Sequence, residues 1–151
     1  MNAAPRVKSG VHVEGLKPVL RQLSRLGPDL NRELRASSKE IAAEEASKIR
    51  AAAGSDQLSA AAATTIRARS DRLPSIVGGG ARRLSSLSGN PRAGEVFFGA
   101  EYGGGKRKTT RQFRPHRGRA GYFVWPTLRD DQEHMLVRWS EAVERAIKGM
   151  Q

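Results

Sequence analysis

The glycine and lysine residues of segment 103–108 are of the types that bind phosphate groups in nucleotide-binding loops. A GxxxxGKS or GxxxxGKT loop ending at Lys106 requires glycine at position 100 and serine or threonine at position 107. The chain has Ala100 and Arg107 at these positions. The GxGxxG pattern fails in the same way, because positions 83 and 108 are not glycine. Spacing therefore argues against a nucleotide site, and we interpret these glycines as hinges that give loops their flexibility.

The other residue types of catalysis are also scattered. The histidines His12, His116 and His134 lie on different segments with no i,i+4 spacing, whereas a metal site needs ligands that converge. No serine stands in a GxSxG motif. Asp130 and Asp131 are adjacent, so on a helix they point in different directions, and we interpret them as first-turn charges. We expect no enzymatic activity, no metal and no cofactor.

A basic loop between Gly103 and Arg119 is the most distinctive feature of the chain. It has no aspartate or glutamate, and five of the chain's eight aromatic residues lie within or beside it. Such a charge run favours a partner surface for polyanions or acidic protein faces, with a merely solvated loop as the alternative. The candidate contact residues are Lys106, Arg107, Lys108, Arg111, Arg114, Arg117 and Arg119.

Bulk composition places this loop in a small domain. The 151 residues predict one modest core, and aromatic residues make up only 5%. The net charge is +12, and residues 66–119 hold most of it, with 13 basic and 3 acidic side chains. The chain has no cysteine, no apolar signal region at its start and no run long enough to span a bilayer. We expect a soluble protein made in a cytoplasm.

Two amphipathic helices are predicted near the N-terminus, after a flexible tail at 1–10 and a short alternating segment at 11–14. The first follows the spacing from Leu16 to Leu26, and Gly27-Pro28 separates it from a second helix over 29–53. Glutamates at 40, 44 and 45 beside basic residues predict a solvated outer face for the second helix.

A small sheet is predicted in the middle of the chain. Residues 58–63 form a further helical turn, 64–69 and 73–77 form a hairpin, and 81–94 form an irregular, flexible loop. The segment from Glu95 to Phe98 is compatible with a strand or with a helical turn.

A long helix is predicted to start at Pro126 and to stop at Gly149. Its apolar stripe includes Leu128, Leu136 and Trp139, which we expect to anchor it to the core, while Trp125 lies beneath it. The fold class is therefore α+β. One domain spans 11–151, with two N-terminal helices, a small antiparallel sheet with long loops, a basic loop at 103–121 and a long C-terminal helix.

The aromatic residues that flank the basic loop have two interpretations. Tyr102, Phe113 and Tyr122 are placed to stack on nucleic-acid bases beside the arginines, or to anchor the two ends of the loop to the domain. The second interpretation is favoured, because flanking aromatics more often pack than bind.

The order of these features resembles a known family. Two helices, a hairpin, the step Glu101-Tyr102-Gly103, a variable loop, the segment Phe123-Val124-Trp125-Pro126 and a closing helix follow one another over residues 11–148. This order is similar to that of the tail-completion, or neck, proteins of long-tailed bacteriophages, in the form found in phages of actinobacteria. Trp125 departs from the family pattern, in which a basic residue often precedes the proline, and the basic loop is longer than usual.

The resemblance implies a structural virion protein. Proteins of this family form homo-oligomeric rings at the head–tail junction, between connector proteins on the portal side and tail-terminator or tail-tube proteins, around a channel that carries double-stranded DNA. We expect the helices to make the contacts between copies, because the core is poor in aromatic residues. A free basic nucleic-acid-binding protein is the alternative, although the chain has no recognised nucleic-acid motif.

Overall fold

A computed structural model of the protein describes residues 16–104 and 112–150. The predicted tail at 1–10, the alternating segment at 11–14 and the loop residues Lys106, Arg107, Lys108 and Arg111 lie outside the described residues. The α+β class is confirmed. The described elements are α1 (Leu16–Leu23), α2 (Pro28–Ala52), α3 (Gln57–Ala63), β1 (Arg67–Arg69), β2 (Ser75–Val77), α4 (Ala93–Tyr102), a short 3-10 helix (Gly118–Ala120) and α5 (Val124–Lys148).

The long helices α2 and α5 form the frame of the domain. They run in opposite directions, since Leu30 of α2 lies beside Gly149 while Lys48 binds Asp131 of α5. A first cluster of buried side chains fills their contact and takes in α1. Its members are Leu23, Leu26, Leu34, Ile41, Trp139, Ala142, Val143 and Ala146.

Two smaller clusters continue the core beyond this frame. The second surrounds Phe123, which is fully buried among small side chains of α2, α3 and α4. The third places Leu84 and Leu87 of the irregular loop against Ala61, Ala93 and Val96. Many of these residues are alanine, so the elements approach closely and each buries little apolar area.

The hairpin is antiparallel and short, with Ala68 opposite Ile76. Its turn is fixed by one carbonyl group, because the Arg72 oxygen accepts a hydrogen bond from Ser38 Oγ (2.7 Å) and another from Trp139 Nε1 (2.9 Å). A single backbone oxygen thus joins the hairpin to both long helices.

Helix boundaries correct three predictions. Helix α1 ends at Leu23, so it has about two turns, although Leu26 is still buried. The segment 95–98 belongs to α4, which continues through Glu101 and Tyr102. Helix α5 begins at Val124 rather than Pro126, so Trp125 lies in its first turn and not beneath it.

The start of α5 also changes the interpretation of its charges. Its first turn holds no acidic residue, and Asp130 and Asp131 fall in the second turn, so their interpretation as first-turn charges is wrong. Pro126 is the third residue of the helix. It removes no helical hydrogen bond there, because the first four N–H groups of a helix have no partner within it.

The predicted anchor of α5 is correct at Trp139 and wrong at Leu136. Trp139 is 8% exposed in the first cluster, and Leu128 packs against the second cluster. Leu136 is 42% exposed. It lines an open apolar groove of about 480 Å³ between α5 and the strand β2.

These environments predict unequal costs of truncation. Trp139→Ala removes a buried ring and the hydrogen bond to Arg72, and we expect it to lower the free energy of unfolding by about 3–5 kcal/mol. Leu136→Ala on the same helix is the matched control, and we expect a loss of less than about 1 kcal/mol. Urea denaturation of both variants measures the difference. Equal losses would contradict the assignment of Trp139 to the core and Leu136 to the surface.

Candidate functional site: the Glu101 cap and the basic surface

The carboxylate of Glu101 caps the N-terminus of α5. Its Oε2 accepts hydrogen bonds from the backbone N–H groups of Phe123 (3.1 Å) and Val124 (2.8 Å), and its Oε1 accepts one from Trp125 (2.9 Å). The side chain is 2% exposed. A buried carboxylate at this position satisfies N–H groups that lack partners within the helix and lies at the positive end of its dipole.

Tyr102 adds a second contact to the same turn. Its hydroxyl accepts a hydrogen bond from Trp125 Nε1 (2.5 Å), and its ring stacks on the ring of Phe98. The two residues that end α4 therefore hold the two that begin α5. The motif residues predicted from the sequence come together here, namely Glu101, Tyr102, Phe123, Trp125 and Pro126.

Backbone hydrogen bonds close the base of the basic loop beside this cap. The Gly104 N–H donates to the backbone carbonyl of Arg114. The Arg117 N–H donates to the backbone carbonyl of Tyr102, and the Tyr122 N–H donates to that of Glu101, each at 2.8 Å. The two ends of the 103–121 segment are therefore tied to each other and to α4.

Close packing explains the glycines at these two ends. Gly103 has φ +79°, and a Cβ there would lie 2.1 Å from the Pro115 oxygen. Gly121 has φ +70°, and its Cβ would lie 2.1 Å from Glu101 Oε1. A side chain fits at neither position, so close approach and a left-handed backbone, rather than hinge flexibility, account for glycine here.

Arg114 is a predicted contact residue that the domain uses internally. Its guanidinium lies 3.8 Å from the centroid of the Tyr122 ring and donates to Ser59 Oγ (2.8 Å). Asp56 lies 3.8 Å away and caps α3 by accepting the Ser59 N–H. Arg114 therefore fastens the loop base to α3, which leaves Arg117 and Arg119 as the exposed members of the predicted set among the described residues.

The aromatic side chains near the loop are engaged in packing. The Tyr122 ring lies under Arg114, with Arg117 at 5.0 Å, and its hydroxyl donates to the Pro115 carbonyl. Phe113 packs on the third cluster. These contacts favour the interpretation of the aromatic residues as anchors of the loop ends.

A second group of basic side chains was not singled out from the sequence. Arg67 and Arg69 of β1 and Arg82, Arg83 and Arg92 of the irregular loop are all exposed. Within the described part of the chain, none of the five has a carboxylate within ion-pair distance. The signal in the sequence was the i,i+2 spacing of Arg67 and Arg69, which puts both on one face of a strand.

The irregular loop that carries three of these arginines is fixed to its surroundings. The Gly79 N–H donates to Thr65 Oγ1, the Gly94 N–H donates to the Gly80 carbonyl, and the Ala93 N–H donates to the Arg82 carbonyl, each at 2.8 Å. Arg83 and Arg92 face each other in an antiparallel bridge. The prediction of irregular structure is correct up to Arg92, but the predicted flexibility is wrong, because hydrogen bonds and the buried Leu84 and Leu87 hold the loop, and α4 begins at Ala93.

Glu45 contradicts the predicted outer face of α2. Its side chain is 1% exposed at the contact with α5, where it lies beside the Asp131 carboxylate and 3.9 Å from Lys48 Nζ. Burial and the neighbouring Asp131 carboxylate raise the pKa of Glu45 to about 7, against the opposing effect of Lys48. Lys48 lies 2.6 Å from Asp131, and this contact lowers the pKa of Asp131.

Metal-ligand clusters and membrane-spanning helices are absent from the described ranges. No group of three or more histidine, cysteine, aspartate or glutamate side chains is placed to hold a metal ion there. No described helix is both long and apolar enough to cross a membrane. No family model, curated protein or solved structure matches this chain.

The hydrogen bonds to Glu101 predict that an isosteric substitution at this position strongly lowers the stability of the fold. Glu101→Gln keeps the size of the side chain but replaces an acceptor oxygen with an NH₂ group that faces backbone N–H groups. We expect it to lower the free energy of unfolding by about 2–4 kcal/mol. Glu95→Gln on the same helix is the control, because Glu95 is exposed and accepts one N–H, from Arg92. Its loss should stay below about 1 kcal/mol in the same urea titration.

The burial of Glu45 predicts that the difference in stability between the parent protein and the Glu45→Gln variant depends on pH. Its pKa is about 7 in the folded state and 4.5 in the unfolded state, so the folded state holds the proton more tightly. Stability is therefore lost as pH rises from about 4.5 to 7 and stays constant above that range. Glu45→Gln removes this loss, and we expect it to be more stable than the parent by about 1–3 kcal/mol at pH 8 but nearly equal at pH 5.

Thermal unfolding at a series of pH values measures this difference. Glu40→Gln is the control, since Glu40 is exposed on the same helix and its substitution should shift stability equally at all pH values. A Glu45→Gln difference that does not change between pH 5 and pH 8 would contradict burial of the carboxyl group.

Proposed function

We propose that this chain is a structural subunit of a bacteriophage neck, which assembles as a ring at the junction of head and tail. The observation that carries the proposal is the convergence of the motif residues on which the sequence resemblance rests. Glu101 and Tyr102 bind the turn that contains Phe123 and Trp125, although more than 20 residues separate them in sequence. The motif is therefore a structural unit that presents the loop between its two halves.

The chemistry of the described surfaces agrees with a building block. The buried ionisable groups Glu101 and Glu45 lie in helix contacts, and neither lines an open cavity with other catalytic groups. The open groove is apolar along its length apart from Gln132. Helix α5 also carries Leu136 and Val137 with 42% and 51% exposure, which a contact with a second copy of the chain would cover.

The experiment uses a phage that encodes this chain. Deletion of the gene should yield DNA-filled heads and separate tails, and wild-type protein supplied from a plasmid should restore joined particles. Mass spectrometry should find the protein in purified virions, and cryo-microscopy should find it in a closed ring at the junction. Its absence from purified virions would overturn the proposal.

The basic loop predicts a defect in the same assay. Replacement of Lys106, Arg107, Lys108 and Arg111 with serine removes four positive charges. These charges repel one another unless a partner supplies negative charge. We expect the altered protein to restore few joined particles, since an acidic face of an adjoining ring is the favoured main contact and channel DNA a weaker one.

The control removes the same number of charges from exposed positions outside the basic loop. Arg21, Lys39, Arg25 and Arg145 are exposed, and their replacement with serine should leave joining unchanged. If the loop variant also joins heads to tails normally, with DNA retention and ejection unchanged, the loop is only a solvated surface.

A further inference from the structure

We propose that Arg67, Arg69, Arg82, Arg83 and Arg92 form a second basic surface that binds the phosphate backbone of double-stranded DNA without reading its sequence. The inference uses this surface alone and does not depend on the neck assignment. It concerns residues separate from the loop at 103–121.

Segregation of charge is the first observation. Positive side chains between the long helices are neutralised, because Lys48 contacts Asp131 and Arg138 contacts Glu44. The five arginines of the second surface are exposed and lack such partners in the described part of the chain. Their charge is therefore available to an external anion.

The composition of the surface fits an oxyanion, and the lack of apolar side chains beside the arginines favours phosphate over the carboxylates of a protein partner. All five residues are arginine, whose planar guanidinium donates two parallel hydrogen bonds to phosphate oxygens. A protein partner would instead require an apolar centre in its interface. The open apolar groove is lined by β2 and α5 but by no residue of β1 or of the irregular loop, and none of the large exposed apolar side chains of the described chain, Phe98, Leu136, Val137 and Met150, belongs to those two segments.

The absence of free aromatic rings among these residues favours a duplex over a single strand. Single-stranded binding depends on aromatic side chains that stack on bases. The tyrosines are engaged elsewhere, since the Tyr102 ring stacks on Phe98 and the Tyr122 ring lies under Arg114. The arginine surface therefore offers contacts to a backbone but no platform for bases.

Hydrogen bonds within the domain restrain two of the arginine side chains, which reduces the conformational entropy that they lose on binding. Arg67 and Arg69 share one face of β1, and Arg82 reaches back to the Thr64 carbonyl (3.4 Å), just before that strand. Arg83 donates to the Asn90 carbonyl (3.1 Å) across its own loop. These contacts use one donor of the Arg82 guanidinium and one of the Arg83 guanidinium and leave their other donors for a ligand, so these two side chains lose less conformational entropy on binding.

The test measures binding of the full chain to a fluorescent 25-base-pair duplex of random sequence, by anisotropy at several salt concentrations. Arg67→Gln, Arg69→Gln and Arg82→Gln are combined in one variant. We expect its affinity at 100 mM salt to fall by about tenfold or more, and the slope of log K against log salt to fall by about two to three units.

The matched control combines Arg21→Gln, Arg25→Gln and Arg145→Gln, which removes three charges from exposed positions on α1, in the turn after it and on α5. A change of less than about threefold in the control supports the proposal, because the overall charge is then not the cause. Equal losses in the two variants, or no loss in the first, would overturn it.

Three further measurements separate the alternatives. A variant with lysine at positions 67, 69 and 82 keeps the charge, and it should keep the salt slope if phosphates are the ligands, even where the glutamine variant folds poorly. Binding of a single strand of the same length more tightly than the duplex would overturn the assignment to double-stranded DNA. Competition by polyglutamate at lower concentration than by unlabelled duplex would point to an acidic protein face and would also overturn it.

Discussion

The three hydrogen bonds from backbone N–H groups to Glu101 are the interaction on which the arrangement of this domain depends. They fix where α5 begins, and α5 is the helix that closes the first cluster against α2. They also place Phe123 at the centre of the second cluster, because its N–H is one of the three donors. A carboxylate in this position satisfies several donors at once, which a neutral side chain cannot do. The end of α4, the start of α5 and the base of the basic loop are thus determined together.

Charge also differs between the two long helices and the rest of the domain. Acidic side chains are concentrated on α2 and α5, where they meet lysine and arginine of the facing helix or, for Glu45, are buried between them. The hairpin and the irregular loop carry arginines without such neighbours. A chain with net charge +12 therefore has a nearly balanced helical side and a strongly basic remainder. Both proposed partners, an acidic ring face and a DNA backbone, follow from this separation.

Periodicity predicted the elements that are long or strongly patterned. The α+β class, the bounds of α2 to within one residue and the hairpin were all predictable, because apolar spacing and turn residues determine them. The role of Glu101 was not, since the donors that bind it lie more than 20 residues away and only folding brings them close. Glu45 was assigned to solvent because its neighbours Glu44 and Lys48 are polar, although a helical turn places it at the α5 contact. The arginine surface was hidden by the greater charge density of the loop at 103–121.

The hydrogen bonds to the Arg72 carbonyl oxygen give the hairpin a different tolerance to substitution than to insertion or deletion. Both Ser38 and Trp139 donate to this backbone oxygen, so almost any side chain at position 72 leaves the oxygen in place. Insertion or deletion of one residue between Arg69 and Ser75 would instead move the oxygen away from both donors and leave the buried indole N–H unpaired. The turn is therefore free in its side chain at position 72 and constrained in its length. We expect sequence variation between Arg69 and Ser75 to consist of substitutions, with the number of residues unchanged.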